Sequence, residues 1–272
     1  MPDSQILYLD DHFVAINKPF GLLVHRSDID RHETRFALQL VRDRLGRHVF
    51  PVHRLDRPTS GVLLFAFSGE GARLAAEAME SPAAAKTYLA VVRGIAPQES
   101  RIDYPLPDVT DRREFRPDNG GARRPAVTDF RRLAAVELPF AVVPHPTARY
   151  SLLEVMLRTG RRHQIRRHLK HLFHPVIGDT NYGDGRHNRL FREELGCGRL
   201  LLHAVELSFI HPLSGEAVRI TAPLDDTFAA PIRRLGWRDA LRPGWLEIQG
   251  SSAFMEQSAN LCQPGRATVD NA

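Results

Sequence analysis

The chain has only two cysteines, Cys197 and Cys262, in 272 residues. They form no CxxC pair and are too few for a disulfide framework, which fits a reducing cytoplasm as the working compartment. No apolar run approaches the roughly 18 residues needed to cross a membrane, so no membrane association is expected. The opening MPDSQILYLDDHFVAINK places acids around its apolar stretch and has no basic start, unlike a signal peptide. No internal repeat is present. The third scarcity is local: from Val155 to Gly178 there is not one acidic residue. That gap contains Leu157-Arg158-Thr159-Gly160-Arg161-Arg162-His163-Gln164-Ile165-Arg166-Arg167-His168-Leu169-Lys170-His171, the most basic stretch of the chain.

The remaining composition is that of a folded domain, 43% hydrophobic and 25% charged with a net charge of +5. Short apolar runs at Ile6–Leu9 and Phe13–Ile16 read as strands joined by a turn at Asp10-Asp11-His12. Leu22–His25 resumes the pattern. Residues 32–45 carry a helical stripe at Ala37, Leu40, Val41 and Leu45, with Gly46 as a stop. Residues 70–80 read as an alanine-rich helix capped by Ser68. Strands are expected at 86–92, 150–157, near 200–210 and at 217–222. Lys86, Tyr88, Ala90 and Val92 share one face of the first of these by period two. Residues 105–126, with four prolines and two adjacent glycines, read as a loop. The expected fold is α+β, a mixed and mainly antiparallel sheet with flanking helices and loops. One domain is expected over 1–245, followed by a disordered tail over 246–272. A monomer is expected, with no protein partner.

A helix is expected from about Arg161 to Phe173. At 100° per residue, Ile165, Leu169, Leu172 and Phe173 share its apolar face, with Arg166 at the margin. His163, Arg167 and Lys170 are then expected to face solvent. An outward basic set suits phosphates, because releasing condensed counterions favours binding to a polyanion. A boundary arginine suits a buried carboxylate, because the guanidinium fork can pair with it. Histidines 163, 168, 171 and 174 are poorly spaced for one metal ion and have no carboxylate or cysteine beside them, so neither a metal nor a cofactor is expected.

One carboxylate stands apart. In His53-Arg54-Leu55-Asp56-Arg57-Pro58-Thr59-Ser60-Gly61, Asp56 lies between two arginines in a Pro/Ser/Gly turn. Apolar runs at Val49–Val52 and Val62–Phe67 flank that turn and read as buried strands. A carboxylate so placed is a positioned group. Burial would push it toward its neutral form unless a cation holds it, and Arg166 is the candidate.

Six blocks now agree in order with one family. VAINKPFGLLVH, HRLDRPTSGVLLFA, KTYLAVVRG, LRTGRRHQIRRH, HPVIGDTNYG and RLLLHAVELSFIHPLSGE resemble the signature stretches of the RluA-type pseudouridine synthases, over roughly residues 6–225. The resemblance implies an isomerase that cuts the N1–C1′ bond of a uridine, rotates the base and rejoins it through C5. It implies Asp56 as the catalytic residue, Tyr88 as the platform for the freed base and a pocket lined by the strand after Thr59. Arg54 is implied in the space that the flipped base vacates. Whether Asp56 attacks C1′ or removes a sugar proton stays open. Lys18, Arg158, Arg161, Arg167 and Lys170 are candidates for RNA contact. The family often carries an N-terminal S4-type RNA-binding domain, which is expected to be absent because the catalytic opening begins at residue 6. The extended VHRLDRPTSGVLLF, the doubled arginine of GRRHQIRRHL and the GDGRHNR segment resemble the branch acting on uridine-65 in the T stem of tRNA. Ribosomal RNA or another tRNA position is the alternative substrate.

Overall fold

The computed structural model describes residues 5–25, 34–107 and 122–246. All of the expected 246–272 tail except Leu246, the middle of the 105–126 loop and the first residues of the helix read over 32–45 lie outside these ranges. Leu246 itself packs against the core.

The elements run β1 (Ile6–Leu9), β2 (Phe13–Lys18), α1 (Ala37–Leu45), β3 (Phe50–Pro51), β4 (Ser60–Ala66), α2 (Gly69–Ala78), β5 (Ala85–Arg93), β6 (Glu99–Asp103), β7 (Leu106–Pro107) and β8 (Arg123–Arg124). There follow β9 (Val127–Leu138), β10 (Ala148–Leu157), α3 (Gln164–His171), α4 (Gly185–Glu194), β11 (Leu202–Ile210), β12 (Ala217–Thr221) and α5 (Asp226–Arg234). One sheet of ten strands dominates, in the order β1-β2-β4-β11-β5-β10-β9-β6, with β12 beside β11 and β3 beside β4. Its pairings are antiparallel except β4 with β11, so the sheet is mixed and mainly antiparallel as expected.

The central strands are apolar on both faces because both are covered. On one face Val14, Ile16, Leu63, Phe65, Tyr88, Ala90, Val155 and Leu202 pack with Leu55, Ile165 and Leu169. On the other, Leu89, Val91, Tyr150 and Leu152 pack beneath α4 and α5 through Phe191, Phe228 and Ile232. The alternation along β5 thus sends Tyr88 to one core and Leu89 to the other.

Several boundaries differ from expectation. Leu22–His25 forms no strand and contributes only a single bridge, Leu23 with Phe36. The 105–126 stretch is not wholly loop, since its ends pair as β7 with β8. β9 was hidden by its half-exposed, alanine- and arginine-rich sequence, which gives little alternation. α4 was hidden by polarity, with only Leu190 and Phe191 buried. Its start is marked by Asp184, whose side chain accepts a hydrogen bond from Arg186 N–H, as Asp225 does for α5. α2 matches its reading, and Ser68 accepts from Gly71 N–H at 2.9 Å.

Two glycines let the backbone close in around the site. Gly61 has φ 112°, and a Cβ there would lie 2.1 Å from the Ala204 carbonyl oxygen. Gly178 has φ 79°, and its Cβ would lie 1.8 Å from the carbonyl oxygen of Arg199. Only a residue without a side chain permits β4 to meet β11, and the chain before Asp179 to meet Arg199.

Candidate active site

The Asp56 turn begins where β3 leaves its partner. Val52 N–H still reaches Leu64 O, and then the His53 ring replaces the backbone, its Nε2 accepting from Leu64 N–H at 3.1 Å. Leu55 anchors the turn in the core. Thr59 N–H donates to Asp56 O at 2.9 Å and closes it. The Asp56 side chain, 18% exposed, opens into a cleft of about 580 Å3 lined by Arg54, Lys86, Tyr88, Arg158, Arg161 and His163 among others. That size suits a nucleobase and its sugar.

The TGRRHQ segment is pinned before α3 starts. Thr159 Oγ1 accepts from Val127 N–H and donates to Gln164 Oε1. Gln164 Nε2 donates to Val127 O and to Thr128 Oγ1. One turn later His168 bonds Thr128 Oγ1 and Tyr104 O through its two ring nitrogens. With both residues fixed, Arg166 projects into the site. Its Nη1 donates to Asp56 Oδ2 at 3.1 Å, while Nε and Nη2 fork onto Asp179 at 2.7 and 2.8 Å. Asp179 also accepts from Asn181 and Tyr182 N–H. Burial would raise the Asp179 pKa, but the guanidinium and the two amides hold it below the usual carboxylate range. Burial likewise pulls on Arg166, and the two carboxylates overcome it, so the guanidinium stays charged.

His163 corrects the expectation that it faces solvent. It precedes α3 in a left-handed conformation, φ 55°, which turns its ring inward. Nδ1 bonds the Tyr182 hydroxyl at 3.0 Å, and Nε2 faces Asp56 Oδ1 at 3.6 Å. Burial lowers its pKa to about 4, partly offset by Asp56. Tyr88 borders the same cleft, and its phenol is held protonated, first by burial and then by the charge of Asp56.

Three further expectations need correction. Lys18 is fully buried, and its ammonium donates to the carbonyls of Pro19, Leu22 and Arg57 at 3.0, 2.7 and 3.2 Å. Burial and then Arg199 lower its pKa to about 7. It fastens the Pro19–Leu22 loop to the Asp56 turn and presents no surface to RNA. Arg167 is buried rather than solvent-facing, with Nη2 donating to Pro107 O at 3.0 Å. The helix begins three residues later than read, at Gln164, and the helical angles counted from Arg161 do not hold there. Phe173 leaves the apolar face because α3 ends at His171 and the chain turns left-handed. Arg54, Arg158, Arg161 and Lys170 are exposed. Arg158 also pairs with Asp129 at 2.8 Å, and Arg161 donates to Pro125 O at 3.1 Å.

Sequence reasoning did not assign Asp179, His163, Tyr182 or Arg199 to the site. Asp179 had visible signals: it lies in the HPVIGDTNYG block, is the first acid after the basic stretch and directly follows a glycine. Arg199 supports the turn from behind, donating to Ser60 Oγ and pairing with Asp225, while Ser60 Oγ bonds His203 Nδ1 at 2.8 Å. Among the described residues, no group of three or more His, Cys, Asp or Glu side chains could hold a metal ion. No described helix is long and apolar enough to cross a membrane.

The buried histidines set a pH dependence. Burial lowers the pKa of His53, His163 and His203 from 6.5 to about 4 each. The unfolded chain therefore binds protons first as pH falls. The histidine contribution to stability is complete above about pH 6.5 and drains away between 6.5 and 4, by several kcal/mol in all. Urea midpoints measured from pH 7.5 to 4 should fall steadily across that window. A flat midpoint down to pH 4.5 would contradict neutral, buried rings.

Comparison with known proteins gives a consistent result. The family model described as RNA pseudouridylate synthase matches residues 12–171. The tRNA pseudouridine synthase C of Haemophilus ducreyi is 50% identical over 235 residues, covering 86% of this chain and 97% of that protein. The protein of the same name from Vibrio parahaemolyticus is 48% identical over 241 residues, covering 88% and 98%. Among solved structures, human RNA pseudouridylate synthase domain containing 1 matches 97% of both chains at 25% identity and a TM-score of 0.62. Human RNA pseudouridylate synthase domain containing 4 covers 85% of this chain and 92% of its own at a TM-score of 0.63.

Proposed function

The chain belongs to the RNA pseudouridylate synthase family, and we propose that it isomerises uridine-65 in the T stem of tRNA to pseudouridine. The observation that carries the reading is the Asp56 carboxylate, braced by Arg166 in a cleft of nucleoside size beside Tyr88. The names of the relatives support tRNA as the substrate. Position 65 is supported by the resemblance of the doubled arginine and the GDGRHNR segment to the branch with that target.

The reaction breaks N1–C1′ and forms C5–C1′. C5 gives up its proton, N1 gains one, and no electrons are exchanged with a partner. In this reading Asp56 acts at the sugar, as nucleophile at C1′ or as base toward a sugar proton. Arg166 aims the carboxylate through its Nη1 hydrogen bond. Tyr88, protonated and held in the core, supports the uracil face while the base turns. A paired uridine must first leave its stack, at a cost of a few kcal/mol. Arg54, exposed at the cleft, fills the gap, and Arg158 and Arg161, which also line the cleft, take phosphates.

Purified protein incubated with a tRNA pool should form pseudouridine at position 65 and nowhere else in it. Asp56→Asn should abolish the product and leave tRNA affinity unchanged. Product at another tRNA position, or only in ribosomal RNA, would replace the assignment. Turnover by a folded Asp56→Asn protein would remove the mechanism.

Arg54→Ala separates a wedge from a structural arginine. Single-turnover rates should fall on a paired stem and recover when the target uridine is mismatched, since that base is cheaper to extrude. Equal losses on both RNAs would mean that Arg54 only orders the turn.

A further inference from the structure

At the far end of α3 lies a surface that the chemistry above does not use. Phe173 is 80% exposed, more than any other large hydrophobic among the described residues. Its backbone is left-handed, φ 61°. Phe173 N–H donates to Lys170 O and His174 N–H to Leu169 O, the helix-ending pattern in which this position is ordinarily glycine. A bulky side chain here strains the backbone and gains nothing from burial, so packing does not account for it.

The neighbours are basic and fixed. Arg93 donates through Nη2 to Phe173 O at 3.1 Å and through Nη1 to Asp184 at 2.8 Å. Asp184 is also approached by Arg186 at 3.5 Å, and Arg186 donates to the Val143 carbonyl at 2.6 Å. Val143, 74% exposed, is the second most exposed large hydrophobic among the described residues. Two arginines thus share one carboxylate between two outward apolar side chains. Lys170 and His171, both exposed, add to the basic side. His171 stacks on Tyr104 with ring centroids 3.8 Å apart.

An exposed aromatic ring on a backbone tied to an arginine and flanked by further cations is the combination that stacks an unpaired base and contacts its phosphates. We propose that Phe173, with Arg93 and Arg186, forms a second RNA contact that binds an unpaired nucleotide of the substrate outside the target stem. Phe173 follows the C-terminal end of α3, a helix about 12 Å long whose first residues line the cleft. The charge excess selects RNA over a protein partner. The proposal rests on tRNA as substrate and adds a determinant of which RNAs bind.

The test compares dissociation constants for whole tRNA and for a hairpin reduced to the target stem, over a range of salt. Phe173→Gly relieves the strained backbone, so its melting temperature should be no lower than wild type. Its dissociation constant for tRNA should rise about tenfold, with the hairpin unaffected. Arg186→Gln should reduce the slope of log affinity against log salt by about 0.7 to 0.9 for tRNA alone. Should Phe173→Gly lower the melting temperature, Phe173→Asn, which also tolerates this backbone, takes its place. Wild-type tRNA binding by both variants would overturn the proposal. So would equal losses on tRNA and hairpin, which would place the effect in the cleft. If the wild-type protein forms no pseudouridine in any tRNA, the substrate assignment has failed; if it does and the variants bind normally, only the second contact has.

Discussion

One buried guanidinium shared between two carboxylates holds the site together. Arg166 commits Nε and Nη2 to Asp179 and keeps Nη1 for Asp56. Withdrawing such a group from water is expensive, and an ion pair of this kind often adds little net stability. Removing one partner is much worse, on the order of 3–5 kcal/mol, because a charge is left uncompensated. The arrangement therefore serves geometry. The fork onto Asp179 leaves the guanidinium plane no freedom, and that plane directs Nη1 at Asp56.

The surrounding structure makes this fork possible. Asp179 is delivered by Gly178, whose missing side chain admits the Arg199 carbonyl. Arg166 is delivered by α3, whose first residue, Gln164, is fixed to the start of β9. Asp56 is delivered by a turn held from three sides. The Lys18 ammonium grips the Arg57 carbonyl, Leu55 enters the core, and Ser60 bonds both Arg199 and His203. The residues of the pair are 110 positions apart in sequence, so the site exists only once the sheet has assembled.

Asp56 and Arg166 were legible as a pair because each stands out against a local pattern: the aspartate interrupts two apolar runs, and the arginine lies at the margin of a helical stripe. Tyr88 fits its strand pattern like any core residue, and only the resemblance of the KTYLAVVRG block pointed to it. Lys18 and Arg167 were misread for one reason. A basic side chain in a basic chain looks outward, and only tertiary structure shows the carbonyls of Pro19, Leu22 and Pro107 waiting for it. His163 depended on a left-handed backbone that no helical angle describes. β9 and α4 were missed because their burial is thin, and periodicity reports burial.

The most direct measurement is the single-turnover rate of Asp179→Asn on tRNA, taken together with its tRNA affinity. Asp179 lies away from the cleft lining, so a contact role is not at issue. If it orients Arg166, and Arg166 orients Asp56, the rate should fall by about a hundredfold or more while affinity is unchanged. A folded Asp179→Asn protein with the wild-type rate would show that Asp56 is held by something other than this shared guanidinium.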